Sequence, residues 1–398
     1  MRIVIRINSI FLVCLSISGI VISNSQFMIS YGLDSKLEML SYIILIISIF
    51  YNYYKNFKKN NLKNIVFLIM LILFFCLGIW LQALSFGIKI YLSFSMVIFA
   101  VVMTMSDGII KDFSDLKKIG NTIFWALIIS MILSYLNGNN MWTLAVEGGF
   151  SDYGFNGGLA HKNYFSISLF TSFTLLTISY LFYKKMASSL ILILLESILI
   201  VLSNSRTVWL LTILFLGIIS LYNIKNIKKN QRIVLITTIV IVSIAFINLF
   251  YRMYILTSDS YMMRIKGLIN YLNKFSYDSF IMLFGNAAMA FSDLSIDYAQ
   301  KVRSVIGWDG TVELPLVSIL IKNGCMGLVG YLILYLTYIK KIAKINNFQR
   351  KIIGFSLLLP LLFSALVENY IVNLHIVYSV VVYMVLVSKI FDSNSMNI

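Results

Sequence analysis

Charged residues are scarce in this chain. They make up 12% of its 398 residues, where a soluble domain carries about 25%. Histidine occurs twice and cysteine three times. Cys14, Cys76 and Cys325 lie inside apolar runs without metal-ligand spacing, so they read as small buried residues. The sequence has no G-x-S-x-G elbow, no H-E-x-x-H and no P-loop, so nucleotide-driven chemistry has no visible machinery. No D-x-D or E-x-D pair stands in the outer loops, so neither a divalent metal nor any other cofactor is implied. The net charge is +16, but it is not gathered on one domain with base-stacking aromatics, which argues against a nucleic-acid partner.

What the chain does have is long apolar runs. Apolar residues make up 60% of it and mean hydropathy is +0.89. Runs of roughly 17–25 such residues are long enough to cross a bilayer as helices. The sequence predicts twelve, at about 3–23, 37–54, 64–84, 88–106, 119–137, 159–183, 187–203, 207–223, 233–250, 313–339, 352–369 and 373–390. The expectation is an all-α, polytopic integral membrane protein of about 12 transmembrane helices, forming one domain over 1–398 with one large extracytoplasmic loop. The first run lacks an A-x-A-like cleavage site and reads as an uncleaved helix.

Basic residues set the orientation. Most of them fall in alternate connections, among them Lys55, Lys58, Lys59, Lys111, Lys117, Lys118, Lys184, Lys185, Lys340 and Lys341. Loop 138–158 has no Lys or Arg and only Glu147 and Asp152 as charges. Both termini are therefore predicted on the cytoplasmic side. Loop 251–312 is the large outer one, and within it Ile265, Leu268, Ile269, Leu272 and Phe275 recur at helical spacing. That pattern predicts an amphipathic helix at the membrane surface.

This topology gathers the polar outliers. His161, Lys162 and Asn163 open span six on the outer side. Ser203, Asn204, Ser205 and Arg206 form a short outer turn between spans seven and eight. Glu313 opens span ten, Glu368 closes span eleven, and His375 lies about one turn into span twelve. Arg264 and Arg303 lie in the large loop. Cations, an imidazole and carboxylates near one plane suit a substrate that carries phosphate in the outer leaflet. An Arg chelates phosphate oxygens through two parallel hydrogen bonds, which a Lys cannot do. Each residue also has a plainer role. His161 and Asn163 serve a helix start, Lys162 snorkels, Arg206 meets lipid phosphate, Arg264 belongs to an amphipathic face, and Glu313 answers a helix dipole.

Ordered motifs over roughly 155–335 carry a resemblance. Gly158 to Asn163 is similar to G-x-x-H-[KP]-N, and Ser203-Asn204-Ser205-Arg206-Thr207 to S-x-S-R-[ST]. Met263-Arg264, then Leu283-Phe284-Gly285-Asn286, resemble an outer-loop Arg and a later G-N-G-type turn. Glu313, then Asn323-Gly324 to Gly327-Leu328, resemble the segment that follows. Together they resemble the O-antigen polymerase/ligase family of bacterial surface-polysaccharide assembly. Glu313-Leu314 stands where many members, ligases especially, have His-Asn, which leans the reading toward a polymerase.

The resemblance implies a glycosyltransferase of the bacterial cytoplasmic membrane with an extracytoplasmic active site. Its substrate would be an oligosaccharide on undecaprenyl diphosphate, in contact with membrane lipids, with a chain-length regulator and a flippase as pathway partners. Arg206 and Arg264 would stabilise the leaving diphosphate, and His161 or Glu313 would take the acceptor proton. Lys162, Asn163, Ser203, Ser205 and Arg303 would bind substrate. The alternatives are a ligase of the same family, a lipid-linked oligosaccharide flippase and a membrane protein without chemistry.

Overall fold

The computed structural model describes residues 8–56, 61–143, 146–147, 150–151, 153–222, 259–290, 314–371 and 373–391, with scattered positions between 237 and 252. Helices dominate: α1 (Ser9–Ser23), α2 (Gln26–Ser30), α3 (Asp34–Lys55), α4 (Asn61–Leu81), α5 (Phe86–Met105), α6 (Phe113–Leu136), α7 (Lys162–Phe182), α8 (Ala187–Leu202), α9 (Arg206–Ile219), α10 (Asp259–Phe275), α11 (Ser279–Phe284), α12 (Pro315–Ala343), α13 (Phe348–Ser364) and α14 (Val377–Val387). Several begin where a side chain answers free backbone N–H groups: Asn8 for α1, Asp112 for α6 and Asn347 for α13.

Six of these helices, α3 to α7 and α12, are long and apolar enough to cross a membrane. Helices of this bundle also carry apolar stripes that face outward. On α4, Leu62, Val66, Ile69 and Leu73 are exposed at steps of three and four; on α8, Leu190, Leu194, Ile198 and Val201 are. Such stripes are a liability in water and match lipid. This is an all-α, membrane-embedded protein.

A helix lies over each predicted apolar run except 233–250, which falls largely outside the described residues. The last two runs are shorter as helices than expected. α13 ends at Ser364 and α14 begins only at Val377. His375 therefore lies before the last helix, not one turn inside it. Hydropathy continues through 365–376 because that connection is itself packed in protein, with Val367, Tyr370, Ile371 and Ile376 buried. α14 has 11 residues, all but one of them buried, so it rises only about 16 Å and serves as the centre of the bundle. Around it, the Tyr383 and Tyr335 hydroxyls share a hydrogen bond of 3.0 Å, and the Tyr338 hydroxyl donates to the Met103 carbonyl.

The loop before α7 departs from an all-helical reading. β1 (Trp142–Thr143) pairs antiparallel with β4 (Gly154–Phe155), and β2 (Val146–Glu147) pairs with β3 (Phe150–Ser151) in the same register. The expected amphipathic helix is α10, but much of its apolar face meets protein. Tyr271 and Phe275, with Leu268 and Leu272, pack on Leu314, Val317, Leu320 and Ile321 around the start of α12, while Ile269 stays exposed.

α12 is broken at Gly324, whose φ of 66° and ψ of −167° only glycine adopts readily. A break inside an apolar bundle strands carbonyl groups, and each needs a donor. The Ile321 carbonyl accepts from the Asn286 N–H at 2.5 Å, and the Lys322 carbonyl accepts from Gln82 Nε2 at 3.1 Å. Gln82 also donates to the Phe284 carbonyl and accepts from the Ala287 N–H. Asn323 donates to the Phe75 carbonyl at 2.6 Å. The two motifs at Gly285-Asn286 and Asn323-Gly324, far apart in sequence, thus form one interlocked crossing against α4.

A Cβ at Gly324 would lie 2.3 Å from the Leu283 carbonyl oxygen, whereas a Cβ at Gly87 would meet nothing within 4 Å. Gly324→Ala should therefore destabilise the protein by roughly 2–4 kcal/mol through strain and overpacking. Gly87→Ala, on a helix, should be neutral or slightly stabilising. Thermal unfolding in detergent measures both; equal midpoints for the two variants would contradict the account of the break.

Candidate functional site

The loop that precedes α7 is fixed before the helix begins. Gly157 and Gly158 both have positive φ, 56° and 72°. The Gly158 carbonyl accepts from the Ser134 hydroxyl and from the Gln26 N–H, and the Ala160 N–H donates to the Asn24 carbonyl. Ser25 and Leu159 form a β-bridge. The start of α7 is thereby held against the end of α1.

His161 caps α7. Its Nδ1 accepts from the Asn163 N–H at 3.1 Å. A neutral imidazole with an accepting Nδ1 carries its proton on Nε2. In that form His161 carries its donor on Nε2, which suits holding an oxygen. Lys162 is the first residue of α7 and is buried, with its Nζ 3.4 Å from the Asn204 carbonyl oxygen.

Arg206 is the first residue of α9 and is exposed. The turn before it is tight. Asn204 has a φ of 49°, and its side-chain amide donates to the Tyr153 carbonyl at 2.8 Å. Ser203 is buried and its hydroxyl returns to the Ile200 carbonyl, so it builds the turn and does not face outward. The Ser205 hydroxyl donates to Asn163 Oδ1 at 3.0 Å. Gly154 runs so close that a Cβ there would lie 2.3 Å from the Ser203 carbonyl oxygen.

The result is two helix starts side by side, joined through Ser205–Asn163 and Lys162–Asn204. A helix N-terminus carries roughly half a positive charge. Cations there are disfavoured by roughly 0.3–1 kcal/mol, and anions are favoured. This chain nonetheless puts a cation at the first residue of both helices. Such an arrangement favours anions at this mouth of the bundle.

Of the residues singled out from sequence, His161, Lys162, Asn163, Ser203, Ser205 and Arg206 come together. Arg264 lies on α10, and its side chain is outside the described residues, as are Arg303 and Glu313 entirely. Among the described residues no group of three or more His, Cys, Asp or Glu is placed to hold a metal. The sequence reading missed Tyr153, Gly154 and Asn24, which act through backbone or through an amide. It also missed the stacked rings of Trp142 and Tyr153, 5.0 Å apart, beside the turn. No family model matches the chain. Comparison with curated proteins finds no match either.

His375 stands beside this end of the bundle and has a structural part. Its Nδ1 lies 2.8 Å from Glu38 Oε2, its carbonyl accepts from the Asn24 amide at 2.7 Å, and the Leu374 carbonyl accepts from the Tyr42 hydroxyl. The hydrogen bond to Glu38 raises the imidazole pKa above its ordinary value; burial opposes this, and the charges of Glu38 and Asp34 add to it. A raised histidine pKa contributes stability that is complete below the unfolded value of about 6.5 and is lost as pH rises through the folded value. Wild-type protein should therefore lose thermal stability as pH rises above about 6.5. The His375→Gln variant should lose less over the same range. Identical pH dependence in the two proteins would show that the pair contributes nothing.

Proposed function

We propose that this protein is a polysaccharide polymerase that joins oligosaccharide repeat units carried on a lipid diphosphate at the outer face of a bacterial cytoplasmic membrane. The observation that carries the reading is the pair of linked helix starts, each with a cation at its first residue. Their resemblance to two ordered motifs of the O-antigen polymerase/ligase family supplies the substrate class: undecaprenyl diphosphate as the lipid, with membrane lipids around it and a chain-length regulator and flippase as pathway partners.

In this mechanism an acceptor hydroxyl attacks the anomeric carbon, the bond to the diphosphate breaks, and the diphosphate leaves with its charge. Arg206, with Arg264 from the large loop, stabilises that charge in a low-dielectric site. Lys162 and the two helix N-termini add to the field, and Asn163, Ser205 and Ser203 hold the arrangement. His161, a donor from Nε2, hydrogen-bonds a substrate oxygen. Glu313 then takes the hydroxyl proton, and Arg303 contacts the bound glycan or its phosphate. A single displacement inverts the anomeric configuration. The energy is already in the lipid diphosphate bond, so no metal or nucleotide enters the reaction. The topology that goes with it has about 12 spans and both termini in the cytoplasm.

A ligase would use the same chemistry toward a different acceptor; Glu313-Leu314 in place of His-Asn favours the polymerase. Purified protein given a synthetic lipid-linked repeat unit should make a ladder of products, and the ladder should persist in EDTA. One transfer to a foreign acceptor without a ladder would identify a ligase. Abolition by EDTA with rescue by Mg²⁺ would place the protein in another glycosyl-transfer class.

The topology has its own check. Cysteines introduced at Ser151 and Ser292 should react with an impermeant reagent in intact cells. Reaction only after lysis would invert the orientation and remove the site from the outer face.

Arg206→Ala should lower the rate by about 10²–10³, the usual effect of losing one preorganised donor. Arg206→Lys should rescue only part, because the planar fork is lost. Lys184→Ala, at the inner end of a predicted span, should behave as wild type. Polymer of normal length and amount from well-expressed Arg206→Ala protein would show that the turn is only a helix connection.

A further inference from the structure

At the other end of the bundle, away from His161 and Arg206, a cavity of about 500 Å3 opens between the start of α1, the end of α3 and the turn from α5 to α6. Helices α1 and α6 run from this cavity to the candidate site: Asn8 and Asp112 line the cavity, while Asn24 and Ser134 hold the loop before α7. Lys55, Lys111 and Lys118 line the cavity together with Asp112 and Asp115.

Both carboxylates are already committed to the protein. Asp112 accepts from the N–H groups of Ser114 and Asp115 at 2.9 and 3.1 Å. Asp115 accepts from the Lys111 N–H at 3.1 Å and pairs with Lys118 Nζ at 2.8 Å. The ammonium groups of Lys55 and Lys111 have no ion pair or hydrogen bond among the described residues. The N-termini of α1 and α6 face the same space and are already capped, by Asn8 and by the Asp112 carboxylate, which leaves those two lysines as its uncommitted charges. The polar cavity therefore selects an anion.

The cavity does not end in solvent on every side. A second hollow of about 460 Å3 adjoins it and shares Asn8, Ile10 and Lys118. Its remaining walls are Phe11, Cys14, Leu15 and Ser18 on α1, with Thr122 facing them from α6. It follows α1 turn by turn away from the lysines, and Phe11 and Leu15 are 65% and 47% exposed along it. A cationic pocket that continues into an apolar groove along a helix has the form of an amphiphile with an anionic head.

We propose that these two hollows bind an anionic phospholipid of the leaflet at this end. Its phosphate sits between Lys55 and Lys111 beside Lys118, and one acyl chain lies along α1 and α6. The groove distinguishes this ligand from a free phosphate, which would have no use for it. The ammonium groups of Lys55 and Lys111, which have no ion pair among the described residues, distinguish it from a zwitterionic lipid. The assignment is independent of the polymerase reading, because it concerns the opposite end of the molecule.

Native mass spectrometry of the full-length protein in detergent tests it, with phosphatidylglycerol, phosphatidylcholine and inorganic phosphate offered separately. Wild type should retain phosphatidylglycerol in preference to phosphatidylcholine and should not retain inorganic phosphate. Lys55→Gln/Lys111→Gln should weaken phosphatidylglycerol retention by at least about tenfold and leave phosphatidylcholine unchanged. Leu15→Trp, which fills the groove and spares the lysines, should also weaken it; this second variant guards against a charge variant that fails to fold. The proposal is overturned if the folded double variant retains phosphatidylglycerol as wild type does, or if phosphatidylcholine binds equally well. Equal retention of inorganic phosphate would overturn it too, by leaving the groove without a part.

Discussion

The hydrogen bond from the Ser205 hydroxyl to Asn163 Oδ1, 3.0 Å long, joins the beginnings of two helices that are 42 residues apart in the chain. The candidate site depends on that junction. Without it, Lys162 and Arg206 would be two isolated interfacial cations of the kind that face lipid headgroups in many membrane proteins. With it, the two helix starts that carry Lys162 and Arg206 lie side by side. A helix N-terminus favours an anion, so the packing at this junction is what suits it to the proposed chemistry.

Much else in the fold serves to hold this junction still. Gly154 passes against the Ser203 carbonyl, Asn204 reaches the Tyr153 carbonyl, and the loop at Gly158 is pinned by Ser134 and Gln26. A second rigid feature answers the same demand for satisfied backbone in an apolar interior. The break in α12 at Gly324 leaves carbonyls that Gln82 and Asn286 occupy. Irregular backbone inside a bundle is tolerated only where such partners are built in.

The sequence made part of this legible. Hydropathy located the apolar runs because a membrane helix is written in consecutive residues, and the motif around His161 and Arg206 was visible because each half is local. Hydropathy overran the last helix, since the connection at 365–376 is apolar for packing in protein and not for crossing lipid. The small hairpin at 142–155 was missed because its strands are two residues long and carry no alternation. Gln82 and Glu38 were invisible for another reason. Gln82 meets Phe284, 202 residues on, and Glu38 meets His375 at the other end of the chain, so neither leaves a local pattern. The tautomer of His161 also needed coordinates, because it follows from the hydrogen bond at Nδ1.

The central claim is that the joined helix starts form a diphosphate site. Equilibrium binding of a short-chain prenyl diphosphate to the purified protein tests it most directly, with the matching monophosphate and alcohol as controls. The account predicts the order diphosphate, monophosphate, alcohol. It also predicts that Lys162→Met and Arg206→Met are coupled, each costing less once the other is present, with the preference for diphosphate gone in the double variant. Equal binding of the alcohol, or an undiminished preference in a folded double variant, would contradict it.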